Sequence, residues 1–106
     1  MSKKPYTLST RPPYSAWSKS RHDSLAAALY YAWRKRQKDC SVGDVTRNGR
    51  VVIGSERVSQ LLDELDEVMR AEPKGQPLEA AEVIARREAA EMIARRIDEA
   101  GGAERR

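Results

Sequence analysis

The chain is expected to be an α+β protein: a short N-terminal strand, a helix, a β-hairpin, a second helix and, after a Pro/Gly linker, a long C-terminal helix. Three observations carry that expectation. Asn48-Gly49 stands between two β-prone runs, the strongest short-range hairpin signal a sequence offers. Two stretches, one from Leu25 and one from Ser55, place apolar residues at helical spacing behind a capping residue. The segment EPKGQP at 72–77 then breaks the pattern with two prolines and a glycine.

Taken in order, residues 5–10 (PYTLST) alternate Tyr6 and Leu8 with smaller polar residues, which fits a strand with one buried face. Pro12 and Pro13 forbid its continuation and predict an extended loop. In that loop Tyr14 and Trp17 either dock onto the body of the protein or stand exposed for a partner. Asp23 or Ser24 supplies the N-cap of the first helix. At about 100° per residue, Leu25, Leu29, Ala32 and Trp33 share one helix face. The opposite face carries Ala27, Tyr31, Arg34 and Lys38, with Tyr30 and Lys35 at its edges.

A two-residue loop at Asn48-Gly49 pairs Arg47 with Arg50, Thr46 with Val51 and Val45 with Val52. Two arginines directly opposite one another repel, a cost that water tolerates and that an intervening phosphate or carboxylate would reverse. Ser55 is expected to cap the second helix, whose stripe is Val58, Leu61, Leu62, Leu65, Val68 and Met69. Asp63, Glu64, Asp66 and Glu67 lie off that stripe and read as a solvated acidic back. These boundaries predict a compact unit over 1–72, a linker at 73–77, a long helix over 78–100 ending at Gly101-Gly102, and a frayed tail at 101–106. The core is thin, drawn from Leu25, Leu29, Trp33, Val45, Val52, Leu61, Leu62, Leu65, Val68, Ile93 and Ile97, with no Phe in the chain.

The last helix nearly repeats itself, Glu82-Val83-Ile84-Ala85-Arg86-Arg87 and then Glu91-Met92-Ile93-Ala94-Arg95-Arg96. Nine residues of α-helix advance about 900°, so the copies face opposite sides and cannot form a tandem binding stripe. What remains is a heptad-like line through Val83, Ala90, Ile93 and Ile97, opposed by a weaker apolar side of Ala81, Ile84, Ala85 and Met92. A helix apolar on two sides is sandwiched. The line of Val83 is therefore the expected protein-interaction surface, for a homodimer or a host protein, unless the helix folds back to complete the monomer's core.

The formal charge of +4 conceals a division. Residues 1–50 carry 11 Lys or Arg against Asp23, Asp39 and Asp44, a balance of +8, while residues 51–106 carry 9 basic and 13 acidic residues, a balance of −4. A basic front half suits a polyanion. Catalytic chemistry has little to draw on. The glycines do not form a phosphate loop, the adjacent residues of SRHDS look like capping residues rather than a triad, and one Cys with one His cannot make a metal site. No cofactor is expected.

The leading expectation is a small non-enzymatic regulator that contacts nucleic acid or a nucleoprotein through Tyr31, Arg34, Lys35, Lys38, Arg47 and Arg50. The alternative is a protein-binding inhibitor or adaptor, of the counter-defence kind that phages and mobile elements use, acting through the C-terminal helix. A chain ending at Glu72 is expected to keep nucleic-acid binding under the first reading and to lose partner capture under the second. The lone Cys40, the absence of a signal-peptide core and the lack of a long apolar run suggest a soluble cytoplasmic protein without membrane contact. An excess of Arg over Lys suggests a bacterial or phage source.

Overall fold

A computed structural model describes residues 4–104, with side-chain surroundings as far as Arg95. Its element order is β1 (Tyr6–Arg11), β2 (Ser18–His22), α1 (Leu25–Arg36), β3 (Ser41–Arg47), β4 (Arg50–Ile53), α2 (Ser55–Ala71) and α3 (Pro77–Glu104). The four strands form one antiparallel sheet in the order β2-β1-β3-β4. Leu8, Val45 and Ile53 turn one face of it toward Leu25, Ala28, Leu29 and Ala32 of α1 and Val58, Leu61, Leu62 and Leu65 of α2. The α+β class and the helix–hairpin–helix order are therefore as the sequence predicts.

The extended loop is not. After Pro12 and Pro13 the chain turns back and Ser18–His22 pairs with β1 along Tyr6↔His22, Leu8↔Ser20 and Thr10↔Ser18, adding a fourth strand at the sheet edge. The prolines break β1, and the break is the hairpin connection. Ser15 N–H donates to the Pro12 carbonyl at 3.2 Å across that turn, with Tyr14 in the left-handed region at φ 63°.

At Asn48-Gly49 both residues take positive φ, 51° and 84°, the pattern of a type I′ turn. Arg47 pairs with Arg50 and Thr46 with Val51, as expected. Val45 pairs with Ile53, not Val52, because β4 carries a bulge. Ser24 caps α1, its Oγ accepting from Ala27 N–H at 3.1 Å. At the other end Asp39 adopts φ 62°, and Cys40 N–H reaches back to the Lys35 carbonyl at 3.1 Å. A short polar residue tolerates that left-handed position better than most.

Ser55 does not cap α2. Gly54 holds the N-cap position, and the Asp44 carboxylate, from β3, accepts the Ser55 N–H at 2.6 Å. A carboxylate there also faces the positive end of the helix dipole. Nor is the acidic back of α2 merely solvated. Asp63 and Asp66 receive Arg36 of α1, and Glu64 receives Arg87 of α3. Trp33 is half-buried for the same reason, its Nε1–H donating to Asp66 Oδ1 at 2.7 Å.

The helix α3 begins at Pro77, continues through Gly101-Gly102 to Glu104, and packs on α1 and α2 with Ala81, Ile84 and Ala85 in the core. The side of the helix that looked weaker in sequence is thus the buried one. Val68 and Ile93, expected in the core, are exposed, the latter at 60%. Val52 is only half-buried. The expectations for the Ile97 side chain and for residues 105–106 lie outside the described residues. Among the described residues, no helix is long and apolar enough to cross a membrane.

Candidate nucleic-acid interface

Helix α1 buries Leu25, Ala28, Leu29 and Ala32, so its rotation is fixed by the sheet. The residues left on its outer side are those the spacing selected. Tyr31, Arg34, Lys35 and Lys38 line one shallow concavity of about 160 Å³. Lys35 Nζ lies 5.3 Å from the Tyr31 ring centroid, and the Arg34 guanidinium 5.8 Å from that of Tyr30. Such contacts hold long cationic side chains against the helix with their charged ends available.

Arg36 lies among these cations in sequence but not in surroundings. It is bound to Asp63 at 2.9 Å and to Asp66, which also accepts Gln37 Nε2–H at 3.2 Å. Burial opposes ionisation of Asp66, but hydrogen bonds from Trp33, Arg36 and Gln37 outweigh it and hold the carboxyl below its ordinary range. Arg34, Lys35 and Lys38, by contrast, have no carboxylate of the described residues within 4.0 Å. Among the described residues from 11 to 50, Arg36 is the one Lys or Arg that is ion-paired.

The predicted pair Arg47 and Arg50 is exposed and faces itself across the hairpin, with the Arg47 guanidinium 5.6 Å from the Tyr6 ring. It does not join the α1 cluster. Strand register puts the hairpin turn beside the start of β1, whereas α1 delivers the chain to Ser41, opposite Arg11 at the far end. Of the six predicted residues, Tyr31, Arg34, Lys35 and Lys38 share the concavity and the hairpin arginines do not line it.

Three further cations escape a reading of the sequence because their segment looks like a loop, whereas Trp17 is one of the two loop aromatics singled out there. Arg11, Lys19 and Arg21 project from the sheet face opposite the core, and Trp17 lies beside them with the Arg11 guanidinium 5.5 Å from its ring centroid. The signal is present in SKSRH, where polar and basic residues alternate with a period of two. At the junction of the two surfaces His22 of β2 meets Tyr31 of α1 with ring centroids 4.9 Å apart, and Ser20 Oγ lies 2.8 Å from His22 Nε2. Burial, aided by Lys4 and opposed by Asp23, lowers the His22 pKa from its ordinary 6.5 and favours the neutral ring.

The other half of the molecule treats charge differently. Glu88 is 1% exposed, and Arg57 clasps it with Nε and Nη2 at 3.2 and 2.8 Å, with Arg95 at 3.5 Å. The Arg57 hydrogen bonds hold the Glu88 carboxyl below its ordinary value against the cost of burial. Between α2 and α3 lies a groove of about 470 Å³, lined by Val68, Met69, Ala80, Val83 and Ile84, by Glu67, Glu72 and Glu79, and by Glu64 with its partner Arg87. From the predicted protein-interaction line, Val83 is 64% exposed, and Ala90 and Ile93 are also outward. No group of three His, Cys, Asp or Glu side chains among the described residues could hold a metal ion.

Fold and surface together define a class, a four-stranded antiparallel sheet covered on one face by helices and basic on the other. No family model matches the chain, and neither a curated protein nor a solved structure does.

Proposed function

We propose that this chain is a small, non-enzymatic, cytoplasmic protein of bacterial or phage type that regulates by binding nucleic acid or a nucleoprotein through its basic N-terminal half. One observation carries the reading. Arg34, Lys35 and Lys38 share a concavity with Tyr31 and are not ion-paired, although α2 presents carboxylates that capture Arg36 from the same helix. Cations kept clear of carboxylates are available to phosphates, and each phosphate neutralised releases counterions. Affinity would then come mainly from charge, with little sequence preference.

Replacing Arg34 and Lys35 together with Ala tests this. The plot of log affinity against log salt for a DNA duplex should flatten by roughly 1.8, about 0.9 for each phosphate that is no longer neutralised. Unchanged binding across a panel of DNA and RNA would reject the assignment.

A second reading is supported by the acid-lined apolar groove between α2 and α3, which suits a basic amphipathic segment of a host protein or of a second copy. Cutting after Glu72 does not isolate it, since that removes Ala81, Ile84 and Ala85 from the core. Val83→Arg with Ile93→Arg is the cleaner change, as both side chains are exposed. Loss of partner capture with nucleic-acid binding intact would favour this reading. Light scattering over a concentration series asks separately whether the helix dimerises.

A further inference from the structure

The face of the sheet turned away from the helices differs from an ordinary solvated surface. Thr7 and Ser9 of β1 give it a low floor, while Arg11, Lys19 and Arg21 stand along it without ion pairs. The four strands carry one carboxylate, Asp44, and that group is engaged by the Ser55 N–H. Within the strands themselves, a polyanion approaching this face therefore meets no carboxylate that is not already engaged.

Two aromatic rings complete the surface. Trp17 lies against a bulge in β3, where a Cβ on Gly43 would come within 3.2 Å of Trp17 Cζ3. Glycine at that point lets the indole lie close to the sheet, yet the residue remains 52% exposed. Tyr14 is fully exposed at the tip of the β1–β2 connection, and its φ of 63° is one that glycine would adopt at less cost. An aromatic ring in water occupies a position that folding alone would give to glycine.

We infer that this open face binds single-stranded nucleic acid, with bases stacked on Trp17 and Tyr14 and phosphates held by Arg11, Lys19 and Arg21. The inference rests on the nucleic-acid reading above and narrows it. Ring faces recruit unpaired bases, which a duplex conceals, and cations beside them track the backbone. The His22–Tyr31 contact seats α1 beneath the β2 edge, so a strand leaving the open face over that edge meets Lys35 and Lys38 next.

The test uses the full chain and a fluorescently labelled 15-nucleotide oligo-dT, an oligo-U of the same length and a DNA duplex. Binding is followed by anisotropy of the label and, separately, by tryptophan emission. Single strands should bind more tightly than duplex and quench the emission, and Trp17→Ala should abolish most of the quenching and weaken single-strand binding about tenfold. Trp17 is outside the core, so the variant should fold; Lys19→Ala with Arg21→Ala is the second probe and should flatten the single-strand salt slope by about 1.4. Saturated binding with silent tryptophan emission and unchanged affinity in both variants overturns the inference while leaving the α1 surface standing. No anisotropy change with any strand or duplex overturns both.

Discussion

Along the seams that join α2 to α1 and to α3, Arg36, Arg57 and Arg87 each end on carboxylates of a facing helix. Across the open sheet face and the outer side of α1, Arg11, Lys19, Arg21, Arg34, Lys35 and Lys38 end on none among the described residues. The difference lies in what surrounds the side chain. Acidic α2 borders both other helices and gathers a cation from each, while the strands carry a single acid that caps a helix. One region uses charge to hold itself together and the other holds it outward, so substitutions in the two should affect different measurements.

The largest effect belongs to the shared core. Leu61→Ala removes a side chain that is 1% exposed and should cost about 3 kcal/mol in urea unfolding, without changing nucleic-acid affinity under conditions where the variant is folded. Next comes the seam. Arg57→Ala leaves the Glu88 carboxylate buried with only the more distant Arg95, and should cost about 2 to 3 kcal/mol. A variant of either kind that bound nucleic acid less well while fully folded would break the comparison.

Acid sharpens it. Glu88 and Asp66 ionise more readily in the folded chain than in the unfolded one, against ordinary values of 4.5 and 3.8. Their contribution to stability is complete above those ordinary values and is lost as pH falls through the lower folded ones. Unfolding midpoints followed from neutral pH downward should fall in that acid window, and Arg57→Ala should shrink the part due to Glu88. The smallest effect is at the hairpin turn. Arg50→Gln relieves the repulsion with Arg47 and should stabilise the fold by a few tenths of a kcal/mol in thermal unfolding.

Much of this architecture is legible in the sequence because it rests on local rules. Asn48-Gly49 fixes a type I′ turn through its two positive φ angles, and the stripe Val58, Leu61, Leu62, Leu65 fixes the face of α2. The α1 cations are legible for the same reason, since helical spacing alone puts Tyr31, Arg34, Lys35 and Lys38 on one side. What escapes depends on residues distant in sequence. The strand Ser18–His22 is polar throughout and exists because β1 offers it an edge. Asp44 cannot be read as the cap of α2, 11 residues ahead of Ser55, without the sheet between them. For α3, both apolar sides are visible, but only packing against α1 and α2 decides that Ile84 turns inward and Ile93 outward.

The central claim, that charge faces outward in one region and inward in the other, is tested most directly by lysine acetylation footprinting with and without saturating oligonucleotide. Lys19, Lys35 and Lys38 should be strongly protected, while Lys74, in the turn between α2 and α3, should react equally in both samples. Equal reactivity of the first three in both samples, or protection confined to Lys74, would contradict the account.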